Sequence, residues 1–156
     1  MGLVYADIEL ANDGDHEMVR RGLMDKDEVR RIPVTALVDT GSFSLAINQT
    51  ILEILQLSVV DRMKLTIASG EIVYYAVVSN VQIRFKNRTS SCRAVILPGN
   101  SEPLLGAIPL EEMDLIIHPK RQELMTNPEH GEDGLWMLKG YKQSWPSEKE
   151  LRDLSE

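Results

Sequence analysis

The sequence predicts an all-β protein, built mainly of short strands with one or two short helices. Short apolar segments recur along the chain, some alternating and some continuous, and clusters of Gly, Asn, Asp and Ser separate them. Clear helical patterns follow only Asn48 and Pro109 in the main part of the chain. With 156 residues, the chain is long enough for one domain with a proper core.

The first third of the chain predicts two strands joined by a charged connection. Residues 3–10 become alternating after an apolar start, and turn-forming residues 12–15 end this strand. The charged segment that follows is typical of a solvated connection, with one helical turn capped by Asp25. Residues 32–38 are almost continuously apolar, which predicts a second strand buried on both faces.

The middle of the chain predicts a capped helix and a β-hairpin. A short apolar strand at residues 45–47 precedes Asn48, which has the right chemistry to cap a helix with an apolar stripe. Residues 65–67 and 72–78 read as paired strands, because Ala68, Ser69, Gly70 and Glu71 lie between them as a turn.

The later segments predict further strands and one more short helix. Residues 81–85 and 92–97 are strands on either side of a turn at residues 87–90. Pro109 suits the first turn of a helix through Met113, which would place two glutamates near the helix N-terminus. Two short strands, at residues 114–119 and 122–125, complete the β domain.

The candidate catalytic residue is Asp39, in the stretch Ala36-Leu37-Val38-Asp39-Thr40-Gly41-Ser42. A carboxylate at the end of a buried strand is costly unless something holds or uses it. Gly41 lets the backbone turn sharply, and Thr40 supplies a hydroxyl that can bond to backbone groups in the turn.

A second motif, Pro103-Leu104-Leu105-Gly106-Ala107-Ile108-Pro109, follows much later. Together the two motifs resemble the retropepsin-like aspartic protease family, and residues 3–128 most resemble its small, soluble bacterial members. The resemblance implies a closed β-barrel with one lobe per chain. It also implies that Leu104, Leu105, Gly106 and Ala107 pass beside a catalytic loop in which Thr40, Gly41 and Ser42 support Asp39.

The resemblance also implies an aspartic endopeptidase that acts as a homodimer on peptides or proteins. The mechanism needs two carboxylates, and the chain holds one Asp-Thr-Gly, so the second must come from another copy. The turn formed by Ala68, Ser69, Gly70 and Glu71 stands where the family has its flap, which binds substrate. A hairpin with a glycine at its tip is, however, common in any β protein.

Two departures from the viral pattern bear on dimer packing more than on the chemistry, and the shortness of the motifs leaves two alternatives open. The viral enzymes usually carry an acid where Phe43 stands and an arginine where Ala107 stands. This chain therefore lacks both partners of that internal ion pair. One alternative is a catalytically silent dimer of the same fold that binds peptides or only dimerises. The other is an unrelated small β-barrel that matches by accident.

Charge and composition limit the other partners and the location. A net charge of −7 without a Lys/Arg cluster argues against nucleic acids and anionic membranes as partners. Cys92 is the sole cysteine, so no internal disulfide can form, and a reducing, cytoplasmic location is expected. The three histidines are too far apart in sequence for a zinc pattern, and we expect no metal or cofactor.

The pattern decays after residue 128, so we predict a domain at residues 1–128 and a polar C-terminal tail at residues 129–156. Trp136 and Trp145 stand in this polar tail, where tryptophan is unusual. We therefore expect part of the tail to dock on the domain or on a partner.

Overall fold

The computed structural model describes residues 2–138 and 147–154. Nine strands carry the fold: β1 Tyr5–Asn12, β2 Arg31–Val38, β3 Leu45–Asn48, β4 Val59–Thr66, β5 Ile72–Phe85, β6 Arg88–Leu97, β7 Leu104–Leu105, β8 Leu115–Ile117 and β9 Leu124–Thr126. The helices are α1 Asp13–Arg20, α2 Gln49–Leu55, α3 Ala107–Glu112 and α4 Glu148–Leu154, with short 3-10 turns at Lys26–Glu28 and Pro128–His130.

Six of the strands pair in a closed ring. The order is β1-β2-β7-β3-β6-β5, and β5 pairs back with β1. β4 extends from β5, and β8 pairs with β9 in a separate hairpin. One hydrophobic cluster draws on every strand of the ring, with Leu10, Ile47, Ile83 and Leu105 fully buried. The predicted all-β class is confirmed.

The short strand β7 determines where the candidate loop lies. It runs parallel to β2, with Val38 opposite Leu105, and antiparallel to β3, with Leu45 opposite Leu105. Because β7 separates β2 from β3, the loop that joins them has to pass over the end of β7. Two segments far apart in sequence therefore meet there.

The turn predicted at residues 12–15 is wrong, because helix α1 begins there. Asn12 caps it by accepting a hydrogen bond from the Asp15 N–H at 3.2 Å. Asp15 is buried, and it accepts from the Arg30 N–H at 3.0 Å and pairs with the Arg30 guanidinium at 3.2 Å. This long-range pairing supports the helix, and a local pattern cannot reveal it.

Strand β2 is buried on one face for most of its length, which corrects the prediction of burial on both. Ala36 and Val38 are buried, whereas Arg31, Pro33 and Thr35 are exposed. The Thr35 hydroxyl instead donates to Asp7 on the neighbouring strand at 2.7 Å. Apolar composition overstated the burial because one face of the ring looks outward.

Two other boundaries differ from the predictions. The two strands predicted at residues 72–78 and 81–85 are one strand, β5, with a register shift between Val78 and Val81. The turn predicted at residues 87–90 is shorter, since Phe85 already pairs with Arg88 and Lys86 has a φ of 54°.

Helix α3 begins at Ala107, two residues earlier than predicted. Glu111 and Glu112 consequently lie in its last turn, so their expected placement near the N-terminus is wrong. The helix predicted after Asn48 is confirmed, and the Asn48 side chain accepts from the Ile51 N–H at 2.9 Å.

No helix in residues 2–138 and 147–154 is long and apolar enough to cross a bilayer. In the tail, Trp136 contacts helix α3, whereas Trp145 lies outside the described residues. The boundary predicted at residue 128 stays a prediction.

Candidate active site

The candidate catalytic loop is hydrogen-bonded to the second motif along its length. The Asp39 N–H donates to the Leu105 carbonyl at 2.9 Å. In the other direction, the Ala107 and Ile108 N–H groups donate to the Ser42 and Phe43 carbonyls at 2.8 and 3.0 Å. Because α3 starts at Ala107, its first free N–H groups are satisfied by the loop itself. The loop is thus fixed both to a ring strand and to a helix.

Gly106 is required by space at this crossing. A Cβ there would overlap the Ser44 carbonyl oxygen and would lie 2.6 Å from the Ser42 carbonyl oxygen. The Gly106 φ of −96° is ordinary, so the need is for room and not for an unusual backbone conformation. Among the described glycines, Gly106 has the least room for a Cβ.

Both carboxylate oxygens of Asp39 are held by the residues that follow it. Oδ1 accepts from the Gly41 N–H at 3.0 Å, and Oδ2 accepts from the Ser42 hydroxyl at 2.7 Å. The carboxylate is half-buried, so it is oriented by the loop and still reachable. Hydrogen bonds to both oxygens fix its rotation, which a group that moves protons requires.

The loop lies between two open cavities. Asp39 lines one of about 560 Å³ with mostly apolar neighbours, including Leu3, Leu37 and Ile117. Thr40 lines the other, of about 380 Å³, and its hydroxyl has no hydrogen-bond partner within the described part of the chain. Apolar concave surfaces with a few polar groups are typical of binding sites.

The hairpin between β4 and β5 has the predicted turn. The Gly70 N–H donates to the Ile67 carbonyl at 2.8 Å, and Gly70 has a φ of +86°, where glycine is favoured. Ala68, Ser69, Gly70 and Glu71 are all exposed. No hydrogen bond or ion pair between described residues joins this tip to the Asp39 loop.

Two contributions, one beside Asp39 and one at the end of the β5–β6 hairpin, were not predicted from the sequence. Leu3 and Val4 lie beside Asp39, where the Val38 N–H donates to the Val4 carbonyl at 2.8 Å. Arg88, predicted in a turn, is buried and donates to the carbonyls of Met113 at 2.8 Å, Gly131 at 3.0 Å and Glu132 at 3.2 Å. The apolar start of the chain indicated the contribution of Leu3 and Val4, whereas nothing in the sequence indicated the burial of Arg88.

Cys92 is a half-buried strand residue, as predicted. Burial raises the pKa of its thiol, against a lowering by the Ser44 side chain. A raised pKa keeps the thiol protonated and unreactive, so Cys92 lacks the properties of a nucleophile.

The ring of strands, the Asp39 loop and the crossing at Gly106 fit the protease fold that the resemblance implies. The family model described as "Aspartyl protease" matches residues 27–107. This match covers half of the chain, including the whole first motif and the second motif as far as Ala107. The chain belongs to the aspartyl protease family, of the retropepsin-like kind.

The other comparisons add little. No curated protein matches the chain. A crystal structure of a protein of unknown function from Legionella pneumophila is 12% identical, covering 72% of this chain and 89% of that chain with a TM-score of 0.36.

Proposed function

We propose that the protein is an aspartic endopeptidase whose active site forms between two copies of the chain. The observation that supports this most is the Asp39 carboxylate, with each oxygen held by the loop and one such group per chain. Since the mechanism needs two carboxylates, the Asp39 of a second copy is the natural partner.

In this proposal the two Asp39 side chains share one proton, because two facing carboxylates cannot both be ionised cheaply. The ionised member takes a proton from a water held between them. That water attacks the scissile carbonyl carbon while the protonated member donates its proton to the carbonyl oxygen. A tetrahedral intermediate forms without a covalent bond to the protein. The Gly41 N–H and Ser42 hydroxyl keep both carboxylates in position throughout.

The homodimer would form on the face that carries the loop. Support comes from the Thr40 hydroxyl, which lacks a partner within the described chain, and from the two open, mostly apolar cavities beside it. Leu104, Leu105, Gly106 and Ala107 act as the support behind the loop in this arrangement. An extended peptide would lie across the dimer and pair its backbone with the flap around Gly70.

We keep the cytoplasm as the proposed location and exclude nucleic acid and membrane from the proposed partners. The single cysteine and the net charge of −7 support these assignments.

Peptide-library hydrolysis at acidic and neutral pH, followed by mass spectrometry, tests the proposal. We expect cleavage by the wild type and none by Asp39→Asn, which keeps the shape of the side chain but cannot move a proton. Asp7→Asn, which changes an exposed acid on β1, is the matched control and should cleave normally. Peptides that bind without being cleaved by the wild type would favour the silent alternative.

A further inference from the structure

Trp136 is held with most of its indole in solvent. Its Nε1–H donates to the Glu112 carbonyl at the end of α3, at 2.7 Å, while 68% of the residue stays exposed. Tryptophan normally buries its rings, so a fixed, exposed indole is a ready platform for a ligand. Its neighbours Met137 and Leu138 are exposed as well.

The surroundings of the indole are apolar and acidic. Trp136 lines an open cavity of about 470 Å³ with Ile108, Leu135, Met137, Leu138, Glu111 and Glu112. Among the described residues no lysine, arginine or histidine lines it. Neither Glu111 nor Glu112 forms an ion pair within the described chain.

A second cavity, of about 440 Å³, also includes Trp136 and repeats this chemistry. Asp133 and Glu112 line it, and the cation present there is Arg88. The Arg88 guanidinium is already committed to three backbone carbonyls and to Asp114. Within residues 2–138 and 147–154, both cavities beside Trp136 therefore offer carboxylates without an uncommitted cation to balance them.

The Trp136 surface is continuous with the candidate active site. Glu111 lines the cavity around Trp136 and also the cavity that contains Thr40. Ile108, at the other side of the Trp136 cavity, donates its N–H to the Phe43 carbonyl in the catalytic loop. A peptide that runs outward from Asp39 along α3 would reach the indole.

We propose that the Trp136 platform, defined by Ile108, Glu111, Glu112, Asp133 and Trp136, binds a lysine or arginine side chain of the extended peptide substrate. The cation lies on the indole face and is balanced by the surrounding carboxylates. Apolar substrate residues next to it pack on Ile108 and Leu138. This inference rests on the proposed function, because it extends the same substrate path.

Charge decides which peptide chemistry fits. An acidic peptide would face Glu111, Glu112 and Asp133 without a compensating cation. A purely apolar peptide would remove water from the same carboxylates without replacing it. A basic side chain balances the charge of these carboxylates and compensates them for the water removed. The net charge of −7 also draws it toward the protein.

Binding is best measured on Asp39→Asn, so that no hydrolysis intervenes. The probe is a blocked peptide of about eight residues that alternates leucine and lysine, a length suited to an extended site. Its partner has glutamine in place of every lysine. We expect the lysine peptide to bind at least about fivefold more tightly, with the difference shrinking at high salt. Equal affinities would overturn the proposal.

Variants locate the binding. Glu111→Gln and Trp136→Ala, each added to Asp39→Asn, should weaken the lysine peptide about two- to tenfold. Trp136→Phe keeps an aromatic face and should lose less. Glu53→Gln removes the same charge from α2, away from both cavities, and should bind normally. If Glu53→Gln weakens binding as much as Glu111→Gln, only general charge attraction is at work and the platform is wrong.

Nuclear magnetic resonance separates this inference from the proposed function. During the titration, the indole N–H signal of Trp136 and the amide signals of Thr40 and Gly41 should shift with one dissociation constant. A shift at Trp136 alone would overturn its assignment to the substrate path. If the pair of Asp39 side chains is catalytically inactive, these binding results stay unchanged. If the Trp136 platform does not bind the peptide, hydrolysis by the wild type stays intact.

Discussion

At the scale of single residues, the candidate site depends on how the loop holds one carboxylate. The Ser42 hydroxyl is the shorter of its two contacts, at 2.7 Å, and it is a side chain that can be changed without altering the backbone. Gly41 contributes through its backbone N–H, which any residue except proline could supply. A Cβ there would meet Asp39 Oδ1 at 3.3 Å, so small side chains are close to fitting.

Ser42→Ala should retain the fold and lower activity. The variant frees Asp39 Oδ2 to rotate, and the lost hydrogen bond costs about 1 kcal/mol of stability. We expect kcat to fall about tenfold with KM little changed, since the hydroxyl orients the acid and does not bind substrate. Steady-state kinetics measure this, with Ser44→Ala as the control. A change confined to KM would place Ser42 in substrate binding instead.

At the residue scale, contacts between sequence neighbours were the easiest to anticipate. The loop hydroxyl that bonds within the turn is, however, that of Ser42, which donates to Asp39, and not that of Thr40 as expected. Arg88 and Asp15 escaped because their partners lie far away in sequence, and a charged residue reads as exposed until the tertiary contact is known. Their burial depends on the fold and not on the neighbouring residues.

At the scale of elements, the crossing of β7 under the loop is the tightest packing in the site. The strand contributes only Leu104 and Leu105 to pairing, yet it separates β2 from β3 and starts α3. The order of the two motifs was readable from the sequence. The length of α3 was not, because Ala107 and Ile108 receive their helical start from the loop's carbonyl groups.

Gly106→Ala should destabilise the domain by about 3 kcal/mol, because the added methyl meets two backbone carbonyls that cannot move independently. Urea denaturation followed by circular dichroism gives the free energy of unfolding. Gly41→Ala is the matched control, and we expect it to cost clearly less because only a side-chain oxygen lies near its Cβ. Equal losses for the two variants would contradict the crowding described at Gly106.

The β4–β5 hairpin, which is the predicted flap, should loosen at low pH. Its strand β4 carries Asp61, which pairs with Arg93 of β6 at 2.7 Å, and the Arg93 guanidinium holds the pKa of that carboxyl below its usual value. Because this pKa is lowered, the ion pair contributes its full stability above the ordinary pKa of aspartate. That stability is lost as the pH falls through the lowered pKa. Both side chains are exposed, so the effect is small.

Hydrogen exchange of the β4 amides measures this loosening. Protection should fall in acid for the wild type, and Asp61→Asn should show the lower protection already at neutral pH. An Asp61→Asn protein that still loses protection in acid would assign the effect to another group.

At the scale of the whole molecule, the residue patterns predicted the fold class and the order of the motifs, whereas the closure of the ring was implied only by the family resemblance. Pairing of β1 with β5 joins residues 9–12 to residues 81–84, and no local pattern encodes such a contact. No local pattern encodes helix α1 or the contacts of residues 130–136 either. They depend on surfaces that exist only after the ring has formed.

Where the domain ends can be tested through Arg88. Truncation after residue 128 removes the Gly131 and Glu132 carbonyls and leaves a buried guanidinium partly unsatisfied, whereas truncation after residue 138 keeps both. We expect the shorter protein to be less stable by about 2–3 kcal/mol, measured by thermal or urea unfolding. Equal stability would support a boundary at residue 128.

Among the described strands, β4 pairs only with β5, so its other edge is available for association between copies. Its outer edge is free along Arg62, Met63 and Lys64. Two copies could pair these edges in an antiparallel arrangement with two-fold symmetry. If the two-fold axis passes through Arg62 or Lys64, that residue lies opposite its own counterpart. If the axis passes through Met63, Arg62 lies opposite Lys64. Each of these registers opposes two positive charges. This edge, the longest open one among the described strands, thus repels its own copy in these registers, which keeps it free for a strand of different sequence.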